Sequence, residues 1–273
     1  MIDLHSHTNE SDGSLSPQQL VAEAQRIGLE ALSITDHDTL GGYDAALPAA
    51  TAAGLELICG IELSTKLNGR SVHLLGYFLN EDGIGPFRAW VREMQASRRE
   101  RNVRLAARLQ ELGFDITLAA AEARGRGMTG RPHFAQLMVE KGYVRDIRQA
   151  FDDYLDESAI GYVQRMEPQF AESVERIRNA GGIASLAHPV RVREDVPAIL
   201  PSLVEAGLNG LEVYHSDHDA QTTACYLALA QRYRLAITGG SDFHGDVKPA
   251  VRLGVGEGNL AISRAVLDCL RSA

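Results

Sequence analysis

Nine histidines and carboxylates of this 273-residue chain are placed as candidate ligands for divalent metal ions, most of them in short polar clusters. They are His5 and His7 in His5-Ser6-His7, Asp12, His37 in Thr35-Asp36-His37-Asp38, Glu62 after Gly60-Ile61, His73, His188 in Ala187-His188-Pro189, and Asp242 and His244 in Gly240-Ser241-Asp242-Phe243-His244. Side chains alternate along a strand, so His5 and His7 point the same way, about 6.6 Å apart. Neutral imidazoles are common ligands for Zn, Mn and Fe. Asp12 lies in a turn-prone stretch ending at Gly13, which can swing its carboxylate over the same spot. Any single histidine here can be a hydrogen-bonded core residue, His73 most of all because it lies inside a strand. Nine together resist that explanation. Six imidazoles and three carboxylates suffice for two or three ions, and a carboxylate such as Glu62 can bridge a pair.

The elements that must position these residues follow a regular rhythm. Ser16-Pro17-Gln18-Gln19 is a capping box that starts a helix, with Leu20, Val21, Ala24 and Ile27 as its buried stripe and Gly28 as its stop. Ala31 to Thr35 reads as a strand, and a helix follows to about Ala53. Leu55 to Cys59 is a strand ending in Gly60-Ile61-Glu62, and Ser71 to Phe78 is a strand carrying His73. After a long interruption come a helix from Pro168 to Ala180 and strands Ile183 to Ala187, Gly210 to Tyr214 and Leu235 to Thr238. A last strand near Arg252 to Val255 leads to a helix capped by Ser263. About seven strands alternating with helices predict an α/β barrel with a parallel sheet, whose chemistry gathers on loops at the C-terminal strand ends. All the candidate ligands except Asp12 and His73 fall at such ends.

Between residues 80 and 167 the strand signal disappears. This stretch reads as an inserted, mainly helical cap, with residues 1–79 and 168–273 forming the barrel. From Asn80 to Ala150 there are 13 Lys+Arg against 9 Asp+Glu, although the whole chain has a net charge of −9. An acidic body with a basic segment suits metal ions held by carboxylates and an anionic substrate gripped beside them, and argues against a general nucleic-acid coat. The long helix Pro86 to Leu112 carries Phe87, Val91, Met94, Leu105, Leu109 and Leu112 on one face, with Arg98, Arg101 and Asn102 on or beside it. A buried stripe rarely admits unpaired guanidinium groups. Either this part of the helix faces an anion-holding cleft, or its arginines pair with Glu93, Glu100 or solvent. Thr129-Gly130-Arg131-Pro132-His133 enters a helix whose exposed N–H groups favour anions. Arg98, Arg99, Asn102, Arg131 and His133 are the resulting candidates for substrate binding.

Three widely spaced cysteines make neither a disulfide framework nor a metal knuckle. The opening residues leave no room for a signal peptide, and no apolar run approaches the roughly 20 residues of a membrane span. A cytoplasmic protein with no membrane association and no obligate protein partner is expected.

The clustered motifs resemble the polymerase and histidinol phosphatase (PHP) family, whose members share an HxH strand, a nearby Asp or His, a TDHD-like element, Gly-x-Glu, AHP and GSDxH. The resemblance implies a distorted seven-stranded barrel holding two or three divalent ions, manganese first, with zinc or iron as alternatives. By motif position one ion takes His5, His7, Glu62 and Asp242, a second Glu62, His73 and His188, and a third Asp12, His37 and His244. The insertion and Gly130-Arg131-Pro132-His133-Phe134 resemble the stand-alone phosphoesterases, among them nucleoside 3′,5′-bisphosphate phosphatases and a 5′-to-3′ exoribonuclease, RNase AM.

The expected activity is therefore metal-dependent hydrolysis of a phosphate ester. Its substrate is a nucleoside 3′,5′-bisphosphate or short 5′-phosphorylated RNA. Water activated between ions attacks phosphorus in line, Asp242 takes its proton, and His215 or His218 serves the leaving oxygen. Histidinol-phosphate phosphatase shares the metal site and is the nearest alternative. A non-catalytic PHP module is expected to have lost ligands, and none is missing here. A barrel amidohydrolase with a modified bridging lysine fits poorly, since Lys66, Lys141 and Lys248 are the only lysines and none ends a predicted strand.

Overall fold

The computed structural model describes residues 1–125, 128–165 and 167–271. Seven strands form one sheet in sequence order: β1 (Ile2–Asp3), β2 (Ala31–Ile34), β3 (Glu56–Leu67), β4 (Arg70–Phe78), β5 (Ile183–Leu186), β6 (Gly210–His215) and β7 (Ala236–Gly240). The edges approach one another. Leu4 N donates to Gly239 O at 3.2 Å, His7 N donates to Phe243 O at 2.9 Å, and Ser6 bridges Phe243 in parallel. The sheet is a nearly closed barrel.

The sheet is not wholly parallel, as the alternating rhythm had implied. β4 is antiparallel to both β3 and β5, while the other neighbours run parallel. The cause is a hairpin at Asn68-Gly69, where both residues have positive φ (49° and 80°), the conformation of a type I′ turn. β3 also continues eight residues past Cys59, so Glu62 stands inside a 12-residue strand and not at a strand end. The expected strand near Arg252 does not form. Gly254 and Gly256 have φ of 76° and 58°, and the segment is a tight turn with one bridge between Arg252 and Gly256. The final helix starts at Ala265 with Arg264 as its cap residue, and Ser263 Oγ accepts only from Ala265 N, at 3.3 Å.

The helices are α1 (Pro17–Arg26), α2 (Gly41–Ala53), α3 (Gly85–Glu111), α4 (Leu118–Arg124), α5 (Arg131–Glu140), α6 (Ile147–Ala150), α7 (Phe170–Asn179), α8 (Val196–Glu205), α9 (Ala220–Tyr233) and α10 (Ala265–Leu270). At α1 both bonds of the capping box are made: Gln19 N donates to Ser16 Oγ, and Ser16 N donates to Gln19 Oε1. α2 stops at Gly54 in the left-handed conformation. No helix among the described residues is long and apolar enough to cross a membrane.

Two apolar cores matter for the site. One packs β3, β4, β5 and β6 against α7, α8 and α9, and takes in Phe87, Trp90 and Val91 from the start of α3. The other lies within the segment between β4 and β5 and joins Leu105 and Leu109 of α3 to Phe134, Leu137 and Met138 of α5. α3 has 27 residues, about 40 Å at 1.5 Å per residue, and spans both. Its buried Arg98, Arg101 and Asn102 lie where it crosses from one core to the other. The apolar stripe is broken there because polar groups, not a hydrophobic core, lie opposite.

Candidate metal centre and anion pocket

Asp3 anchors the first ligand segment. Its buried carboxylate accepts from Ser241 N (2.9 Å), Ser241 Oγ (2.6 Å), Gly254 N (2.7 Å) and His5 N (3.2 Å), tying β1 to the loop that follows β7. That contact needs a glycine at position 240, where a Cβ would sit 2.2 Å from His5 N. Asp36 does the same for the next loop, accepting from Thr8 N (2.7 Å), Thr8 Oγ1 (2.6 Å) and Ser11 Oγ (2.5 Å).

On this frame the candidate ligands converge. Glu62 Oε2 lies 3.3 Å from His5 Nε2, 3.1 Å from His7 Nε2 and 3.3 Å from His37 Nδ1. Its Oε1 lies 2.8 Å from His73 Nδ1 and 2.9 Å from His188 Nε2. Asp242 Oδ1 is 3.5 Å from His5 Nε2 and 3.4 Å from His7 Nε2. Asp12 lies 3.3 Å from His244 Nε2 and 3.7 Å from His37 Nε2. Ligand atoms within 4.8 Å of one another form the groups His5, His7, Glu62 and Asp242; His7, Asp12, His37 and His244; His37, Glu62 and His73; and His5, Glu212 and His215. All nine candidates are thus brought together, with Glu62 at the centre. Asp38, His188 and Asp242 hold positive φ (54°, 25° and 56°), a conformation costing about 1–3 kcal/mol per residue that the surrounding bonds must enforce.

The ring tautomers show that a cation fits. An ionised carboxylate can only accept, so His5 Nδ1 donates to Glu212 Oε1 (2.8 Å), and His244 Nδ1 donates to Asp242 O (2.8 Å). In the neutral rings the remaining Nε2 lone pairs then face carboxylate oxygens, an arrangement favourable only with a positive charge between them. His7 Nε2 and His37 Nδ1 are buried without a hydrogen-bond partner. Protons meet part of this demand in the protein alone. Burial works against a charged His5, yet Glu212, Glu62 and Asp242 outweigh it and hold its pKa well above the usual value. Burial likewise opposes a charged His7, but Asp242 and Glu62 raise it to about 9. Burial lowers His37 to about 3 and His188 to about 4, leaving both neutral and able to ligate. Despite burial, the neighbouring histidines hold Glu62 and Asp12 well below the carboxylate range, and Lys248 and His244 do so for Asp242.

Beside the cluster is a cavity of about 170 Å³, lined by Asp12, His37 and His73 and also by Arg98, Arg131 and His133. The substrate candidates are not all alike within it. Arg131 projects from the start of α5, with NH1 donating to Leu155 O at 3.1 Å and its guanidinium 5.9 Å from the rings of Phe151 and Tyr162. Arg98 pairs with Asp38 and donates to Ser64 Oγ at 2.9 Å, not to Glu93 or Glu100. His133 Nδ1 accepts from Gly130 N (3.0 Å), so that backbone donor is already used. Asn102 Nδ2 donates to Thr129 O (2.8 Å) and steadies the loop before α5. Arg99 is exposed and pairs with Glu122 (2.9 Å) beside a different cavity of about 590 Å³, away from the cluster.

His215 and His218 do not line the 170 Å³ cavity. His215 Nδ1 accepts from Asp217 N (3.0 Å), so Nε2 carries the proton, 3.6 Å from Asp242 Oδ2. His218 lies behind it, with Nδ1 donating to Val213 O (2.9 Å).

Five supporting residues were not singled out from the sequence. Asp3 and Glu212 left a signal, each being a carboxylate between two apolar residues of a strand (Ile2-Asp3-Leu4 and Leu211-Glu212-Val213). Arg165, buried against Asp38 at 3.2 Å, left none, since its segment has no periodicity. Nor did Arg191 and Lys248, which hold Asp242 Oδ2 at 3.0 and 2.7 Å. With Arg98 and Arg131 crowding it and burial as the larger effect, Arg101 is pulled down to about 8.

A barrel whose rim carries a histidine and carboxylate cluster of this kind defines a class of metal-dependent hydrolases. Comparison with known proteins narrows it: the PHP domain pattern matches residues 3–158, and the chain belongs to that family. It is 34% identical over 246 residues to a 5′-3′ exoribonuclease of Haemophilus influenzae, covering 89% of each chain. It is 32% identical over 251 residues to a 3′,5′-nucleoside bisphosphate phosphatase of Chromobacterium violaceum, covering 89% of this chain and 87% of that one. A solved structure from Bifidobacterium adolescentis, provisionally named a metal-dependent phosphoesterase, superimposes with a TM-score of 0.87 at 31% identity over 99% of this chain and 95% of that one.

Proposed function

We propose that this chain is a metal-dependent phosphoesterase acting on nucleoside 3′,5′-bisphosphates and on the 5′ end of short 5′-phosphorylated RNA. One observation carries the reading: a single cavity is lined both by the candidate ligands Asp12, His37 and His73 and by Arg131. A substrate with one phosphate at the cluster and another at Arg131 uses both. Histidinol phosphate, with one phosphate, uses one.

His5, His7, Glu62 and Asp242 would hold one ion, Glu62, His73 and His188 a second, and Asp12, His37 and His244 a third, with manganese the expected metal. Such ions, when bound, stabilise charge on the phosphoryl oxygens and acidify water towards a pKa of about 7. The attacking water yields its proton to Asp242 as its oxygen bonds to phosphorus and the ester P–O bond breaks. That proton is passed from Asp242 to the leaving oxygen, while His215, whose protonated Nε2 lies 3.6 Å from Asp242 Oδ2, orients the carboxylate. His218 backs His215. Arg131 grips the second phosphate, with Arg98 and Arg101 adding positive potential beneath it and His133 and Asn102 holding the loop that presents it.

The test compares a bisphosphate with a simple monophosphate ester on the manganese-loaded wild type and on Arg131→Ala. A charged contact is worth roughly 1.5–3 kcal/mol, so kcat/KM for the bisphosphate should fall about 10- to 100-fold while the monophosphate loses much less. Equal losses on both would assign Arg131 to the reacting phosphate or to the fold, and the bisphosphate reading would fail.

A further inference from the structure

A second cavity, of about 350 Å³, adjoins the cluster and, apart from Arg131 on its lining, has no part in the mechanism above. It lies in the size range of small-molecule sites and has room for one nucleotide. It is continuous with the cluster in three ways. Arg131 lines both cavities. Arg191 lines the larger one and donates to Asp242 Oδ2 at 3.0 Å. Ser71, on its wall, is two residues before His73 on β4, so both side chains project from one face of the strand about 6.6 Å apart, a step comparable with that between successive backbone phosphates.

Its charges favour an anion. The carboxylates on its wall are engaged: Glu157 by Lys66 and by Ser71 Oγ (2.8 Å), Asp156 by Arg193 (3.4 Å), and Glu194 by the Asn68 amide (3.0 Å). Arg70 and Arg131, by contrast, have no carboxylate partner among the described residues. Arg131 already serves the smaller cavity. Arg70 is exposed beside the Asn68-Gly69 turn, and neither the fold nor the chemistry above uses it.

We propose that this cavity takes the nucleotide on the 3′ side of the scissile phosphate, and that Arg70 contacts the next phosphate along the strand, on that nucleotide's 3′ side. It rests on the phosphoesterase reading and extends it: the site is built for a strand of at least three nucleotides, with the bisphosphate as its shortest substrate. The subsite gives a strand of three or more nucleotides one more charged contact than a bisphosphate or a dinucleotide receives.

The experiment uses wild type and Arg70→Ala, manganese-loaded, with three substrates: a nucleoside 3′,5′-bisphosphate and 5′-phosphorylated di- and tetraribonucleotides. Arg70→Ala is expected to lower kcat/KM about 10-fold for the tetranucleotide and to leave the bisphosphate and the dinucleotide, which lack a phosphate beyond the scissile one, within about 2-fold. Affinity for a phosphorothioate tetranucleotide, followed by fluorescence anisotropy, should fall in step. The slope of log affinity against log salt should be shallower by about 0.7, the value of one single-strand phosphate contact. A loss shared equally by all three substrates, or no loss and no change in salt slope, overturns the proposal. Wild type that binds the tetranucleotide through Arg70 but cleaves nothing would overturn the phosphoesterase reading and leave the strand subsite standing.

Discussion

The Glu212 carboxylate accepts from His5 Nδ1 at 2.8 Å and, with its other oxygen, from the backbone N–H of His188. One fully buried acid thereby turns His5 Nε2 toward Glu62 and Asp242 and fixes the strained residue that carries the His188 ring. Partners of this kind typically set metal affinity by about 10- to 100-fold. Glu212→Gln should therefore weaken manganese binding by that factor, measured by isothermal titration with the folded variant. Unchanged affinity would mean that the His5 ring is oriented by packing alone.

The same residue predicts a pH effect in the metal-free protein. Burial opposes the Glu212 charge, but His5 and His215 outweigh it and pull its pKa from 4.5 to about 2. A carboxylate depressed in the folded state stabilises above its unfolded pKa and loses that contribution as pH falls through the folded value. Wild type should lose stability progressively between about pH 4.5 and 2. Acid titration of Glu212→Gln by circular dichroism should show a flatter slope in that window, and an identical slope would contradict the assignment.

Glu62 and Asp38 are both buried acids, but their surroundings differ. Glu62 faces five imidazoles, whereas Asp38 is held between Arg98 and Arg165 and accepts from Ser64 N at 2.8 Å. Glu62→Gln should abolish activity and lower the metal content by at least one ion per chain. Asp38→Asn should keep the ions and instead cost about 3–5 kcal/mol of stability in urea, because it leaves buried Arg98 without a carboxylate and Arg165 with only Glu167, at 3.5 Å. Equal metal content in both variants would contradict Glu62 as the shared ligand.

Arg101 is charged at neutral pH but held there at a cost, with its pKa pulled down to about 8 by burial and by neighbouring arginines. An anion held by Arg98 or Arg131, whose charges help to depress that pKa, relieves the cost. Millimolar sulfate or phosphate should raise the melting temperature of the metal-free protein at pH 7, and Arg101→Met should reduce that gain. Equal stabilisation of both proteins would place the anion elsewhere.

The convergence of the candidate ligands was legible because metal chemistry restricts residue type and strand ends restrict spacing. His5-Ser6-His7 and Asp242-Phe243-His244 needed no tertiary information. The hairpin was not anticipated, although Asn68-Gly69 is a strong turn signal, because the expected rhythm left β4 to run parallel. Glu62 looked like a strand end for the same reason: Gly60 interrupts the apolar run, while the chain stays extended and pairs from Cys59 opposite Phe78 to Leu67 opposite Arg70. The Asp38, Arg98 and Arg165 network joins positions 60 and 127 residues apart, which no local pattern can reveal. Arg99 looked equivalent to Arg98 in sequence, but one residue turns a helical side chain by about 100°, enough to carry it to the outer face.

The most direct test is the activity of purified protein on a nucleoside 3′,5′-bisphosphate, followed by phosphate release alongside metal analysis of the same sample. Two or three divalent ions per chain are expected, with hydrolysis lost on chelation and restored by manganese. Fewer than one bound ion, together with hydrolysis that survives chelation, would contradict the metal-centred account.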